Sequence, residues 1–224
     1  MTMTSSDALL RMIRLLTWLS PAFPTGGFAY SHGLEWSVEA GDVADETMLR
    51  DWVGDVLSHG AGRSDAILLR HAHTANPDDL PALCALGFAL GFGRERRLET
   101  CAQGVAFVHA GAVWGGLRIT ALTGREAPYP IAVGAVAADH GIEADIATAA
   151  YLQAFSAGLI SAGVRLIPLG QTAALRVFAL LEPVIVGLVE ETRDAELDDL
   201  GGACFRSDIA ALRHETQRTR LFRT

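Results

Sequence analysis

Lysine is missing from the sequence: all 18 basic residues are arginine. That absence removes whole enzyme classes. A P-loop uses a lysine to reach nucleotide phosphates, and protein kinases use one for the same purpose. Pyridoxal phosphate enzymes and Schiff-base aldolases need a lysine amine. Cysteine is scarce as well. Cys84, Cys101 and Cys204 lie far apart and form no CxxC pair, so they read as reduced, intracellular, small apolar side chains and not as a disulfide framework. Positive charge is in deficit, with a formal net charge of −8. Nucleic acid and anionic membrane surfaces both demand a basic footprint, so neither is an expected partner.

What is present is enough for one sizeable core: 224 residues, half of them apolar and 20% charged. Helical periodicity dominates. Leu9, Ile13 and Leu16 share one face of a first helix, with Ser6 as a cap. A Pro- and Gly-rich loop follows from Ser20 to about Gly27. Met48, Leu49, Trp52, Val53, Val56 and Leu57 form a stripe behind Asp45, a good N-cap. The next helix is expected to start at Ser64 or Asp65 and to end before Asn76-Pro77. Further helices are expected from about Leu80 to Phe92, from Glu99 to Leu122 with Gly104, Gly111, Gly115 and Gly116 marking close contacts, and from Ile131 to a stop at His140-Gly141. Pro168 suits the first turn of another, through about Leu181. The β-branched run Val184 to Val189 is taken as helix because no second strand is available to pair with it.

Ile146 to Val164 carries no charge and approaches spanning length. Its alanines, glycines and polar residues, bracketed by Asp145 and Arg165, fit a central helix buried on all sides better than a membrane span. Arg11 and Arg14 interrupt any apolar leader at the start of the chain. The expected architecture is therefore all-α, a single-domain multi-helix bundle around a central buried helix, in a cytoplasmic protein.

Catalytic patterns are not convincing. Ala29-Tyr30-Ser31-His32-Gly33 approaches a nucleophile elbow but has Ala29 in place of the first glycine and a loop where a strand is needed. His71-x-His73 cannot chelate from one helix face, and no HExxH or Cys/His zinc spacing occurs. These histidines suit a helix end, where a protonated ring interacts favourably with the dipole. A transient nickel contact stays open, since imidazole suits nickel. Gly26-Gly27 and Gly91-Phe92-Gly93 read as turns or tight packing. The acidic run Glu190, Glu191, Asp194, Glu196, Asp198 and Asp199 reads as a solvated surface.

Two segments carry a resemblance. Ser20 to Trp36, SPAFPTGGFAYSHGLEW, is similar to the signature of the UreF family of urease accessory proteins, matching it at Pro24, Gly26, Gly27, Phe28, Tyr30, Ser31, Gly33, Leu34 and Glu35. Ser207 to Thr224, SDIAALRHETQRTRLFRT, resembles that family's C-terminus at Ser207, Asp208, Ala210, His214, Glu215, Thr216, Arg220, Leu221 and Phe222; Arg218 stands where an aromatic residue is expected. Ile167 to Thr172 is a weaker echo. The resemblance implies an all-helical, dimeric, non-catalytic adaptor. Such a protein links UreH (UreD in many bacteria) to the GTPase UreG, acts on urease apoprotein and serves GTP-dependent nickel insertion. It implies no tightly bound cofactor, with nickel only in transit. A helical scaffold unrelated to nickel, or an enzyme of unrecognised type, are the competing readings.

Within the first segment, Phe28 and Leu34 are expected to pack the core, while Tyr30, His32 and Glu35 serve either the core or a partner. Residues 1–205 are expected to form the helical domain. Residues 206–224 have few apolar anchors, and are expected to fray alone and order on partner binding. Ile209, Leu212, Arg213, His214, Glu215, Arg220, Leu221 and Phe222 are the candidate docking residues there, with UreH as the expected partner.

Overall fold

Asp45 does what its position suggests. Its carboxylate accepts from the Met48 N–H at 2.8 Å and starts a helix whose inner face is Leu49, Trp52, Val53, Val56 and Leu57. The computed structural model describes residues 5–224; residues 1–4 of the expected domain lie outside the described residues. Its helices, in order, are α1 (Ser5–Trp18), α2 (Leu34–Glu39), α3 (Glu46–His59), α4 (Ala61–Thr74), α5 (Leu80–Ala89), α6 (Arg94–Gly111), α7 (Leu117–Leu122), α8 (Tyr129–Asp139), α9 (Ala144–Leu166), α10 (Gln171–Glu191) and α11 (Phe205–His214). Among the described residues the remainder is 3-10 turns and loops, with no strand. The fold is all-α.

The central helix is α8, not the Ile146–Val164 stretch. Every residue from Pro130 to Ala137 is buried, and α4, α6, α7 and α9 pack around it. Small side chains make this possible. A Cβ on Gly134 would stand 2.2 Å from the Leu69 carbonyl oxygen of α4, and one on Gly104 of α6 would stand 1.9 Å from the Ala127 oxygen. Residues 146–164 lie in α9, which is buried on one face only; Ile146, Gln153, Gly158 and Ser161 are exposed. Its lack of charge misled because alanine and glycine suit a half-exposed helix as well as a buried one. Helices α9 and α10 are long and apolar enough to cross a membrane, yet both bury a face against neighbouring helices of the bundle.

Other boundaries moved for local reasons. Helix α4 begins at Ala61, ahead of Ser64, because Gly60 turns the chain and Gly62 lets it fold against Leu57, whose Cα a Cβ there would approach to 2.7 Å. The expected 99–122 helix is two helices, split where Gly115 and Gly116 adopt φ of +70° and +136°. Helix α10 starts after Pro168 and runs through Pro183 and the β-branched run to Glu191. The carbonyl that Pro183 leaves without a helical donor belongs to exposed Ala179.

The first helix forms as its periodicity suggests, but its apolar face is not the one that meets the core. Leu15 and Trp18 face the core, Trp18 edge-on to Trp114 at 5.7 Å. Leu9, Ile13 and Leu16, the shared apolar face, are 53%, 56% and 65% exposed. Arg70 stitches the far end of the bundle. It donates to the Val189 carbonyl at 2.7 Å, to Thr192 Oγ1 and to Asp145, joining α4, α9 and the end of α10. Hydrogen bonds from Arg193 and Arg70 hold the Asp145 carboxyl below its ordinary range.

Candidate functional site

The two segments that carry the resemblance meet in space. After a 3-10 turn at Gly27–Ala29, Tyr30 is extended, then His32 and Gly33 take φ of +60° and +82°. Such a turn is costly for histidine and is what glycine supplies. It sets the N-terminus of α2 against the backbone of α11: a Cβ on Gly33 would stand 2.7 Å from the Ala211 nitrogen. Beyond α11 the chain returns to the same turn. Ser31 N–H donates to the Thr224 carbonyl at 2.8 Å, Arg223 N–H donates to the Ala29 carbonyl at 2.8 Å, and Ser31 Oγ also donates to Thr224. The serine of the near-elbow is thus a structural hydrogen-bond donor.

Three glutamates line this seat. Glu35 on α2 accepts from the backbone N–H of Leu221 at 2.6 Å and of Phe222 at 2.9 Å, and its Oε2 lies 3.0 Å from His214 Nε2. Glu95 and Glu99, one turn apart on α6, face the same way. Glu95 receives Arg220 at 2.7 Å and lies 2.7 Å from His214 Nδ1. Glu99 receives the Thr224 hydroxyl at 2.9 Å and lies 3.3 Å from His32 Nδ1. All three glutamates are buried, and burial raises the Glu99 carboxyl above its usual range against the pull of Arg96. Glu215 Oε1 accepts from the Arg94 N–H and so caps the start of α6. Phe222 is buried with the Arg165 guanidinium 4.2 Å from its ring centre.

The tail is thus fastened mainly by polar groups, which is why its shortage of apolar residues suggested fraying. The expected docking residues divide into two sets. His214 and Phe222 are buried, Glu215 is half-buried, and Arg220 turns its guanidinium into the seat. Ile209, Leu212, Arg213 and Leu221 point outward. Tyr30, His32 and Glu35 are buried too, so in the chain by itself they serve its own tail. Leu34 is in the core as expected, but Phe28 is 77% exposed, because its carbonyl is held by Arg165 while its ring is left at the rim.

Behind this seat lies a cavity of about 470 Å³, lined among others by Phe28, His32, Asp65, Arg96, Glu99 and Tyr151. Burial lifts the Asp65 carboxyl to about 7, although Tyr151 donates to it at 2.7 Å. Burial also lowers the Arg96 guanidinium to about 10. Among the described residues, His32 Nε2 and one Arg96 nitrogen have no protein partner. Glu95, Arg96, Glu99 and Asp65 were not legible as site residues, because charged positions near the start of a helix read as solvated; the crowded run Arg94 to Glu99 was the only hint.

His71 and His73 do not come together as ligands. His71 Nε2 lies 3.0 Å from the Ala195 carbonyl oxygen and His73 Nε2 lies 2.7 Å from that of Ile142, on different sides. Among the described residues no three His, Cys, Asp or Glu side chains gather as a metal site. The cysteines are free; Cys84 and Cys204 are buried, and burial pushes the Cys84 thiol up to about 11.

Comparison with known proteins finds relatives similar in sequence over nearly the whole chain. The family model for UreF matches residues 43–182. A urease accessory protein UreF from Bradyrhizobium sp. (strain BTAi1) is 51% identical over 220 residues, covering 95% of this chain and 92% of the relative. One from Rhodopseudomonas palustris (strain TIE-1) is 51% identical over 221 residues, with the same coverage. A third, from Azorhizobium caulinodans, is 47% identical over 232 residues and covers both chains completely, including the turn and the tail.

Proposed function

The chain belongs to the UreF family of urease accessory proteins, and from that premise we propose that it is a cytoplasmic adaptor, not an enzyme, in assembly of the urease nickel centre. In this reading it joins UreH/UreD to the GTPase UreG on urease apoprotein, works as a homodimer and modulates GTP-dependent metal delivery. Nickel is cargo in transit and not a resident cofactor.

The observation that carries the reading is the outer face of α11. Ile209 and Leu212 are 51% and 41% exposed on a helix whose inner face is locked to α2 and α6, with Leu221 58% exposed beyond it. A rigid helix that presents apolar anchors suits recognition by a partner groove, because little ordering entropy is lost on binding. UreH is the proposed occupant. An arginine acting in trans on UreG is a further part of the proposal, since GTPases respond to such a charge.

The test is co-expression with UreH, UreG and urease apoprotein, reading co-purification and urease activity. Ile209→Asp with Leu212→Asp should abolish UreH capture and activation while the helical circular dichroism and melting temperature stay unchanged. UreH capture at wild-type levels by that folded variant would overturn the assignment of this face.

A further inference from the structure

Arg96 and Arg70 are equally enclosed, each 8% exposed, yet their surroundings differ. Arg70 directs its guanidinium to Val189, Thr192 and Asp145. Arg96, in the first turn of α6, makes no hydrogen bond or ion pair with any described residue. Glu99 and Asp208 act on it only through their fields. A guanidinium offers five N–H donors, and a buried cation left unpaired is strongly disfavoured. Burial lowers this group only to about 10, so it keeps its charge near neutral pH.

Arg96 lines the cavity of about 470 Å³, a volume typical of small-molecule sites. The walls there include Leu68, Leu90, Tyr129 and Phe155. His32 lines it too; its Nδ1 is turned to Glu99, and its Nε2 has no partner among the described residues. A guanidinium matches a carboxylate through two parallel N–H···O bonds. One cation neutralises one negative charge. Asp65 and Glu99 share the cavity, so a dianion such as phosphate is disfavoured. Burial pushes both acids up, Asp65 to about 7, which lessens their repulsion of a single carboxylate. The apolar walls suit a hydrocarbon or aromatic body behind that group.

We propose that the cavity binds a small monocarboxylate with an apolar body, its carboxylate on Arg96 and its body among Leu68, Leu90, Tyr129 and Phe155. The bound molecule supplies the partner that Arg96 lacks and so stabilises the folded chain. Binding needs no partner chain, and the site therefore stands or falls separately from the adaptor role.

Calorimetric titration of the full-length chain with benzoate tests it, at about pH 6, where Asp65 is mostly protonated. Benzoate should bind with a Kd of about 1 mM or tighter and should raise the melting temperature. Benzamide has the same shape without the charge, and sulfate is a dianion without the apolar body. Each should bind about tenfold more weakly or worse. Arg96→Lys keeps the charge and loses the planar fork; Arg96→Met loses both. Either variant should weaken benzoate binding about tenfold or more. A wild-type chain that benzoate does not saturate by about 10 mM would overturn the site. So would benzamide or sulfate binding as tightly as benzoate, or undiminished benzoate binding by either variant. If Arg96→Met does not fold, Arg96→Lys still decides the matter.

Discussion

Tyr151 of α9 donates its phenol O–H to Asp65 of α4 at 2.7 Å inside the cavity, and that one hydrogen bond does not offset the burial of the carboxylate. The Asp65 carboxyl sits at about 7, against 3.8 for the free side chain. The folded chain thus binds this proton more tightly than the unfolded chain does. Stability from this group is fully present at low pH and is lost as pH rises through the interval up to about 7. Asp65→Asn keeps an acceptor for Tyr151 and removes the charge. It should stabilise the fold on the order of 2–4 kcal/mol above neutral pH and have little effect near pH 4. Chemical denaturation at the two pH values checks this; an equal effect at both would mean that the carboxylate is not the strained group.

Removing Glu35 should be costly. Glu35→Ala leaves the Leu221 and Phe222 N–H groups and His214 without their acceptor in a buried place. The expected loss is about 3–5 kcal/mol, read as a lower denaturation midpoint together with faster proteolysis after the tail arginines. A change below about 1 kcal/mol would show that water replaces the carboxylate readily.

Gly33 and Gly41 both have positive φ, +82° and +79°, but differ in surroundings. A Cβ at Gly33 meets the α11 backbone, whereas one at Gly41 meets nothing within 4 Å. Gly41→Ala should cost about 1 kcal/mol from backbone strain alone. Gly33→Ala should cost clearly more and should expose the tail to protease. Equal melting temperatures would contradict the close approach of turn and tail.

Helical glycines give a second contrast. Gly134→Ala drives a methyl into the Leu69 carbonyl, so α4 and α8 must separate and the chain should fold poorly or not at all. Gly187 in α10 has open space around it; Gly187→Ala should stabilise by about 0.5–1 kcal/mol through helix propensity. Thermal melts of the two variants should move in opposite directions.

Much of the helical framework was legible. The stripe behind Asp45 and the stop at His140-Gly141 follow from local rules of capping, breaking and periodicity, whereas Val184 to Val189 could be read as helix only because no second strand was available to pair with it. Periodicity placed Leu9, Ile13 and Leu16 on one helix face but could not tell whether this chain covers it, because an amphipathic stripe shows only that one face is apolar. The site was legible only as two segments worth attention. Their contact was not, since the residues that join them, Glu95 and Glu99, lie on a third helix far from both in sequence.

The sequence alone therefore determined the helical class, the family and the residues of the Ser20–Trp36 and Ser207–Thr224 segments, because those depend on near neighbours and on recognisable pattern. Only the tertiary structure decided that α8 is the core, that Phe28 faces outward, and that His214 is enclosed by Glu35 and Glu95. A charge is cheap in water and expensive when buried, and whether a given glutamate meets water or a histidine is settled by which helices pack together, which no local pattern states.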